Sequence, residues 1–305
     1  MLVIVCPGQG SQTPGFFTPW LELPAFKESI EIASASSGLD LTTFGTISDA
    51  DTIRDTAIAQ PLIVSASIAS YASLRAAGLP DFAGVAGHSV GELAAASIAG
   101  IFDTSTAMAL VAKRGSEMAE AAALSKSSMA AVLGGDRDEV VAHLASLGLT
   151  PANYNGAGQI VAAGSAEAIS KLGETPLAGT RVIPLQVAGA FHTDFMEPAV
   201  SELANYAAGI HTLDPQLLIW TNKDGSVVNS GADYLKLLVN QVSNPVRWDL
   251  CMEAMVAAGV TALIELSPAG TLAGLAKRGM PGVETLALKS PDQIDAAIEL
   301  AKNHG

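Results

Sequence analysis

Short apolar segments alternate along this chain with Ala-rich or amphipathic segments of helical length, and that alternation leaves few folds open. Leu2-Val3-Ile4-Val5-Cys6 is apolar at every position, the pattern of a buried strand. It runs into Pro7-Gly8-Gln9-Gly10-Ser11-Gln12, a loop too rich in Gly and Pro to be helical. The spacing predicts a helix over 60–77, with Pro61 near its start and Gly78 just past its end. A strand is expected over 82–86, followed by an Ala-rich helix over 92–99 that Gly100 stops. Asp103 can cap the next helix, which carries Ala107, Leu110, Val111, Arg114 and Met118 on one stripe. Strands separated by helices in this way build a parallel α/β sheet.

The middle of the chain changes character. A strand over 129–133 is broken by Gly134-Gly135, and a helix over 136–147 turns Val140, Val141, Leu144 and Leu147 inward. Strands over 151–155 and 159–163 flank Gly156-Ala157-Gly158; a helix over 166–172 and a strand over 181–187 follow. The order β-α-β-β-α-β is that of a ferredoxin-like unit. The α/β pattern resumes with strand 217–221, helix 248–258, strand 262–266 and helix 272–277, so the unit reads as an insertion. The expected organisation is a large unit from residues 1–125 and 190–305 carrying a small one at 126–189. A length of 305 residues suits two units, at about 150 residues each.

Composition narrows the function classes. Sixteen Lys and Arg against thirty Asp and Glu leave a net charge of −14, and the pI is about 4.6. A nucleic-acid binder needs a basic surface to replace phosphate counterions, and docking on an anionic membrane needs one too. Hydrophobic residues make up 49% of the chain and charged residues 15%, which excludes disorder. The mean hydropathy is +0.37, yet no uninterrupted apolar run reaches the roughly 18 residues of a spanning helix. The N-terminus shows neither a basic leader nor a cleavage site, so the cytoplasm is the expected compartment. Cys6 and Cys251 read as buried free thiols, and no His or Cys cluster has metal-ligand spacing.

Gly87-His88-Ser89-Val90-Gly91 carries the sharpest chemical signal. A serine on a tight strand-to-helix turn is lifted clear of the sheet, and the next helix aims its free N–H groups at it. Such a serine needs a base, and five histidines compete. His88 precedes the serine and should point away from its hydroxyl. His143 lies in the small unit's helix as a packing residue, His304 sits at a fraying end, and His211 occupies a polar connection. His192 follows Val187-Ala188-Gly189-Ala190-Phe191, whose small residues leave room for a substrate where the insertion rejoins the main unit. His192 is the expected base. No acid completes a triad, since Asp194 is only two residues away; a backbone carbonyl can orient the ring instead. Arg114 is a permanent cation on an apolar stripe, suited to gripping a ligand carboxylate, whereas Lys113 pairs with Glu117 on a wetter face.

Five motifs occur here in one order: Pro7-Gly8-Gln9-Gly10-Ser11-Gln12, Gly87-His88-Ser89-Val90-Gly91-Glu92, Arg114-Gly115, Gly189-Ala190-Phe191-His192 and Asn244-Pro245-Val246-Arg247-Trp248. Together they resemble the malonyl-CoA:acyl carrier protein transacylases of bacterial fatty-acid synthesis, over essentially the whole chain. The resemblance implies an α/β-hydrolase-like core with a ferredoxin-like insertion. It implies that Ser89 becomes malonylated, that His192 is base and then acid, and that the amides of Gln9 and Val90 form the oxyanion hole. Arg114 would bind the malonyl carboxylate, and the main-chain carbonyl of Gln241 would orient His192. Val90 and Gly189-Ala190-Phe191-His192 resemble the malonyl-selective pattern of related polyketide acyltransferases. A monomer acting on malonyl-CoA and holo acyl carrier protein, with no cofactor and no metal, is implied. Three alternatives stay open at this point: a thioesterase or esterase, the acyltransferase subunit of a malonate decarboxylase, and a non-catalytic carrier-docking module. Carrier proteins are usually acidic, so docking on this acidic chain requires a local basic patch.

Overall fold

In the computed structural model, which describes residues 1–305, the chain opens with β1 (Leu2–Cys6) and the helices α1 (Pro24–Ser37), α2 (Leu41–Thr46) and α3 (Thr56–Ala76). Next come β2 (Gly84–Gly87), α4 (Gly91–Ile98), α5 (Thr104–Ala123), β3 (Ser127–Leu133), α6 (Arg137–Ser146), β4 (Thr150–Gly156) and β5 (Gln159–Ser165). The chain continues through α7 (Ala166–Glu174), β6 (Arg181–Pro184), α8 (Glu197–Ala207), β7 (Leu218–Ile219) and α9 (Gly231–Asn240). It ends with β8 (Val246–Arg247), α10 (Trp248–Ala257), β9 (Ala262–Glu265), α11 (Thr271–Gly279), β10 (Glu284–Ala287) and α12 (Ile294–His304).

Five strands form a parallel sheet in the order β10-β9-β1-β2-β7. β1 lies at its centre, paired with β2 on one side and β9 on the other, and all five of its side chains are buried. That position explains why it is apolar throughout, since a central parallel strand is covered on both faces. A second sheet has the order β6-β3-β5-β4-β8. Its first four strands pair antiparallel, and they come from the β-α-β-β-α-β stretch expected from the sequence. The fifth strand does not. β8 joins β4 in parallel, Asn153 opposite Val246 and Tyr154 opposite Arg247, so the C-terminal half contributes to this sheet.

Two expectations are corrected in detail. α3 begins at Thr56 rather than at residue 60, because the Asp55 carboxylate accepts from the Ala57 amide and caps the helix there. Pro61 is therefore inside α3, not at its first position. The strand expected over 217–221 shortens to Leu218–Ile219 at the sheet's edge. α3 is also the helix whose length and composition would suit a bilayer, but 78% of its apolar window is buried, as in a core helix. It packs against α1, α4 and α5. Cys6 and Cys251 are free and buried, as expected, and burial pushes both thiols up and out of the reactive range.

The end of β9 holds one wall of the cleft described below. Glu265 is fully buried, and its carboxylate accepts from the amides of Gly270 (2.8 Å), Leu272 (2.9 Å) and Ala273 (2.8 Å). It takes the place of an N-cap side chain, which Gly270 lacks, at the start of α11. Glu265→Ala leaves these donors buried without an acceptor and is expected to cost roughly 3–5 kcal/mol of folding stability. The loss should be read as a lowered midpoint in urea unfolding, with Glu265→Gln intermediate. An unchanged midpoint would mean that other contacts hold α11.

Candidate functional site

Ser89 sits between β2 and α4 in the left-handed region, at φ +52°. The glycines around it are required by contact. A Cβ on Gly87 would lie 2.1 Å from the carbonyl carbon of Gly91, and one on Gly91 would lie 2.2 Å from the Cys6 carbonyl oxygen. Strand and helix are thus pressed together, and the serine between them is held in a strained turn. Its amide donates to Asn222 Oδ1 at 2.7 Å. The amides of Gln9 and Val90 donate to no backbone acceptor and line the same cleft as the serine. The cleft has a volume of about 270 Å³, with Gln60, Met118, Phe191, Leu272 and Leu275 among its walls.

His192 comes to the serine from the segment before α8. Its Nε2 lies 2.7 Å from Ser89 Oγ, and its Nδ1 lies 2.8 Å from the main-chain carbonyl oxygen of Gln241. A carbonyl can only accept, so Nδ1 carries the hydrogen and Nε2 is free to take a proton from the hydroxyl. The backbone is left-handed here too, at φ +61°, and the His192 amide donates to the Val242 carbonyl at 3.2 Å. Burial, and then the positive charge of Arg114, hold the ring down at about 3, so it is neutral at physiological pH.

The other histidines have different partners. His88 Nε2 lies 2.8 Å from Asn155 Oδ1, with the ring edge-on to Trp248, which ties the serine turn to β4 of the second sheet. His143 Nε2 contacts the Thr175 carbonyl, and His211 is exposed in a separate cavity with Ile101 and Leu213. His304 is fixed rather than frayed, between Thr261 Oγ1 (2.9 Å) and Glu284 (3.3 Å). Asp194 is exposed and does not contact His192.

Arg114 is 2% exposed, on the stripe of α5 where the sequence put it. Its Nη1 donates to Gln60 Oε1 at 2.6 Å and its Nη2 to Gln241 Oε1 at 2.9 Å. Nη2 also reaches Ser89 Oγ at 3.4 Å. Every partner is neutral. Burial lowers the guanidinium to about 10, against the opposing charge of Glu92, and it remains protonated at neutral pH. A buried cation whose direct partners are all neutral, beside a hydroxyl bonded to an imidazole, has the capacity to receive an anion. Lys113, the next residue, pairs with Glu117 on a half-exposed face, as expected from the i,i+4 spacing.

Sequence reasoning missed the residues behind the site. Gln60 holds Arg114 and also donates to Met118 Sδ at 3.3 Å. Asn222 holds the Ser89 amide, and Glu92 accepts from the Asn222 amide at 2.6 Å. Burial pushes the Glu92 carboxyl up to about 8, while the Asn222 amide, the Tyr234 hydroxyl and the Arg114 charge pull it back. The one available signal was a Glu inside an otherwise apolar, Ala-rich helix. Gln241 was reached only through the family resemblance.

Comparison with known proteins bears on this geometry. The acyl transferase domain family matches residues 3–293. The malonyl CoA-acyl carrier protein transacylase of Mycobacterium tuberculosis (strain ATCC 25618 / H37Rv) is 48% identical over 302 residues, which are 98% of this chain and 100% of the relative. The chain belongs to the malonyl CoA-acyl carrier protein transacylase family. Among solved structures, MCAT from Mycobacterium tuberculosis matches with a TM-score of 0.95 at 48% identity, over 98% of this chain and 99% of that one. A malonyl-transacylase in complex with its type II PKS acyl-carrier protein matches with a TM-score of 0.94 at 30% identity, again over 98% and 99%. These matches bear out the family read from the five motifs. They also fit the observed mixed α/β architecture, a parallel-sheet core with a second sheet. In a transacylase of this family, the cleft holding Ser89, His192 and Gln9 is where an acyl thioester would be handled.

Proposed function

We propose that this chain transfers malonyl from malonyl-CoA to the phosphopantetheine thiol of acyl carrier protein through an ester on Ser89. One observation carries the reading: a serine hydroxyl 2.7 Å from a neutral imidazole, with a buried guanidinium lacking any anionic partner 3.4 Å away. His192 Nε2 takes the Ser89 proton as Oγ attacks the thioester carbonyl. The oxyanion is met by the Gln9 and Val90 amides, which have no other acceptor. The tetrahedral adduct collapses, the C–S bond breaks, and His192 returns its proton to the leaving CoA thiolate. The carrier thiol then gives its proton to His192 and attacks the malonyl ester; the C–O bond breaks and Ser89 recovers the proton. The Gln241 carbonyl keeps Nδ1 protonated throughout, doing the orienting job of a triad acid.

Arg114 takes the free malonyl carboxylate in this reading. Binding that anion offsets the Arg114 charge, the larger of the two charge effects that, after burial, hold His192 near 3, so the substrate itself restores basicity to the imidazole. No cofactor or metal enters any step. The fold implied is an α/β-hydrolase-like core of residues 1–125 and 190–305 with a ferredoxin-like insertion at 126–189. The strand-to-helix serine turn supports the first part, and the antiparallel β6-β3-β5-β4 order supports the second. A monomer working in the cytoplasm completes the proposal.

The test is intact-mass measurement after malonyl-CoA, then after holo carrier protein. The malonyl mass should appear and then move to the carrier; an adduct that water removes as fast would make the chain a hydrolase. His192→Ala should slow self-acylation by about 10²–10⁴-fold, while His211→Ala and His143→Ala stay near wild type. Because the His192 value is depressed, the free base is present at every pH above it. The kcat/KM of wild-type loading, which reports the free enzyme, should therefore not decline between pH 8 and 6 through loss of the base. A fall centred near pH 6.5 would contradict that.

A further inference from the structure

Glu92 is 1% exposed and lies outside the lining of the Ser89 cleft, and it takes no part in the transfer steps. It lies behind Gln241, and it is surrounded by donors. The Asn222 amide donates to its Oε1 at 2.6 Å, and Gln241 Nε2 donates to its Oε2. Gln241 is the residue through which both reactive side chains are held. Its main-chain oxygen receives His192 Nδ1 at 2.8 Å, and its side-chain oxygen receives Arg114 Nη2 at 2.9 Å. Asn222 Oδ1, which accepts the Ser89 amide, lies 3.2 Å from Gln241 Nε2.

The side-chain amide of Gln241 is thus placed between a carboxyl and a guanidinium. A guanidinium has donors only, so it requires the amide oxygen; the NH2 must then face an acceptor on the other side. Glu92 is the nearer of the two acceptors it meets, the other being Asn222 Oδ1. We propose that Glu92 is a positioning residue for malonyl recognition: it fixes the orientation of the Gln241 amide, and through it seats Arg114 against the substrate carboxylate. The inference rests on the malonyl-transfer reading and adds a residue that touches neither the acyl group nor the reacting atoms.

A carboxyl has an oxygen to accept from each of Asn222 and Gln241. A glutamine at this position has one oxygen and one NH2. If the oxygen stays with the Asn222 amide, the NH2 confronts Gln241, whose amide relieves the clash only by flipping. The flip presents an NH2 to Arg114, two donors face one another, and the guanidinium is pushed off its seat. The main-chain carbonyl of Gln241 does not flip, so His192 is affected less.

The experiment compares kcat/KM for malonyl-CoA and acetyl-CoA in wild type, Glu92→Gln, Glu92→Asp and Gln241→Leu, with melting midpoints recorded for each. Glu92→Gln is expected to lower the malonyl-to-acetyl ratio by about 10- to 100-fold, the worth of a charge-assisted hydrogen bond. Glu92→Asp, less similar in length but an acceptor on both sides, should retain more of the ratio than Glu92→Gln. A merely structural Glu92 would reduce the active fraction and both rates alike, leaving the ratio where it was; that result overturns the proposal. If Glu92→Gln does not fold, Gln241→Leu decides: it cuts the same link, and an unchanged ratio there overturns the proposal equally. Wild type forming no malonyl adduct would instead defeat the malonyl-transfer reading itself, so the two failures are distinguishable.

Discussion

Ser89→Ala is expected to form no malonyl adduct, and its transfer to carrier protein should fall to background. The reading places the nucleophile on one oxygen, and the other hydroxyls lining the cleft, on Ser11 and Thr271, have no histidine partner. Arg114 and His192, its neighbours, have no nucleophilic oxygen, and both cysteines are buried with their thiols pushed up. Removing the nucleophile of an acyl-transfer site costs as much as about 10⁶-fold in turnover, because the groups that remain have nothing to activate. The fold should survive. Alanine keeps the Cβ, so the constraint at φ +52° is the same for both residues, and the amide bond to Asn222 is untouched. What is lost is the hydroxyl's contact with His192, worth about 1 kcal/mol, and the long 3.4 Å contact from Arg114. The measurement is intact mass after malonyl-CoA, with circular dichroism as the control for folding. A malonyl mass that persists on the alanine variant places the nucleophile elsewhere.

The parts of this site that the sequence made legible share a physical property: each departs from its local surroundings. Ser89 is flanked by glycines at a strand-to-helix junction, and the contacts that would crowd a Cβ there show why glycine is demanded. Arg114 is a cation where the helix stripe is otherwise apolar. His192 emerged by elimination among five histidines, helped by the small residues before it. The central strand β1 was legible because burial on both faces removes every polar residue from it.

Gln60, Asn222 and Gln241 show the opposite case. They are neutral polar residues, ordinary in a helix end or loop, and their importance lies in partners 54, 133 and 127 positions away in the chain. No local period encodes such a pairing. The same holds for β8, two residues long, whose place beside β4 is set by tertiary packing and not by any alternation of its own. The start of α3 was misplaced for a different reason. Proline is a strong punctuation mark, but the Asp55 cap satisfies an amide that would otherwise be orphaned, and it overrides the proline's preference for the first turn.

Arg114→Ala should nearly abolish malonyl loading while keeping or raising acetyl loading. Malonyl-CoA differs from acetyl-CoA by one carboxylate, and the guanidinium proposed to receive it is 2% exposed with neutral direct partners. When acetyl occupies the cleft, that cation stays buried and unmatched. Sites built around a specific polar contact reject the analogue lacking it by roughly 10⁴-fold, so wild type should prefer malonyl strongly. Removing the guanidinium takes away both the attraction and the penalty. It also removes the second of the influences that depress His192, so the imidazole becomes a better base for any acyl group that still binds. Gln60 and Gln241 lose their shared donor, and a water can occupy the space of the side chain. Lys113→Ala is the internal control: it is one residue away, pairs with Glu117 on the half-exposed face, and should change neither rate much. The measurement is kcat/KM for both thioesters in all three proteins. Should Arg114→Ala slow malonyl and acetyl by the same factor, Arg114 only braces Ser89 and His192, and the carboxylate must be recognised by another group.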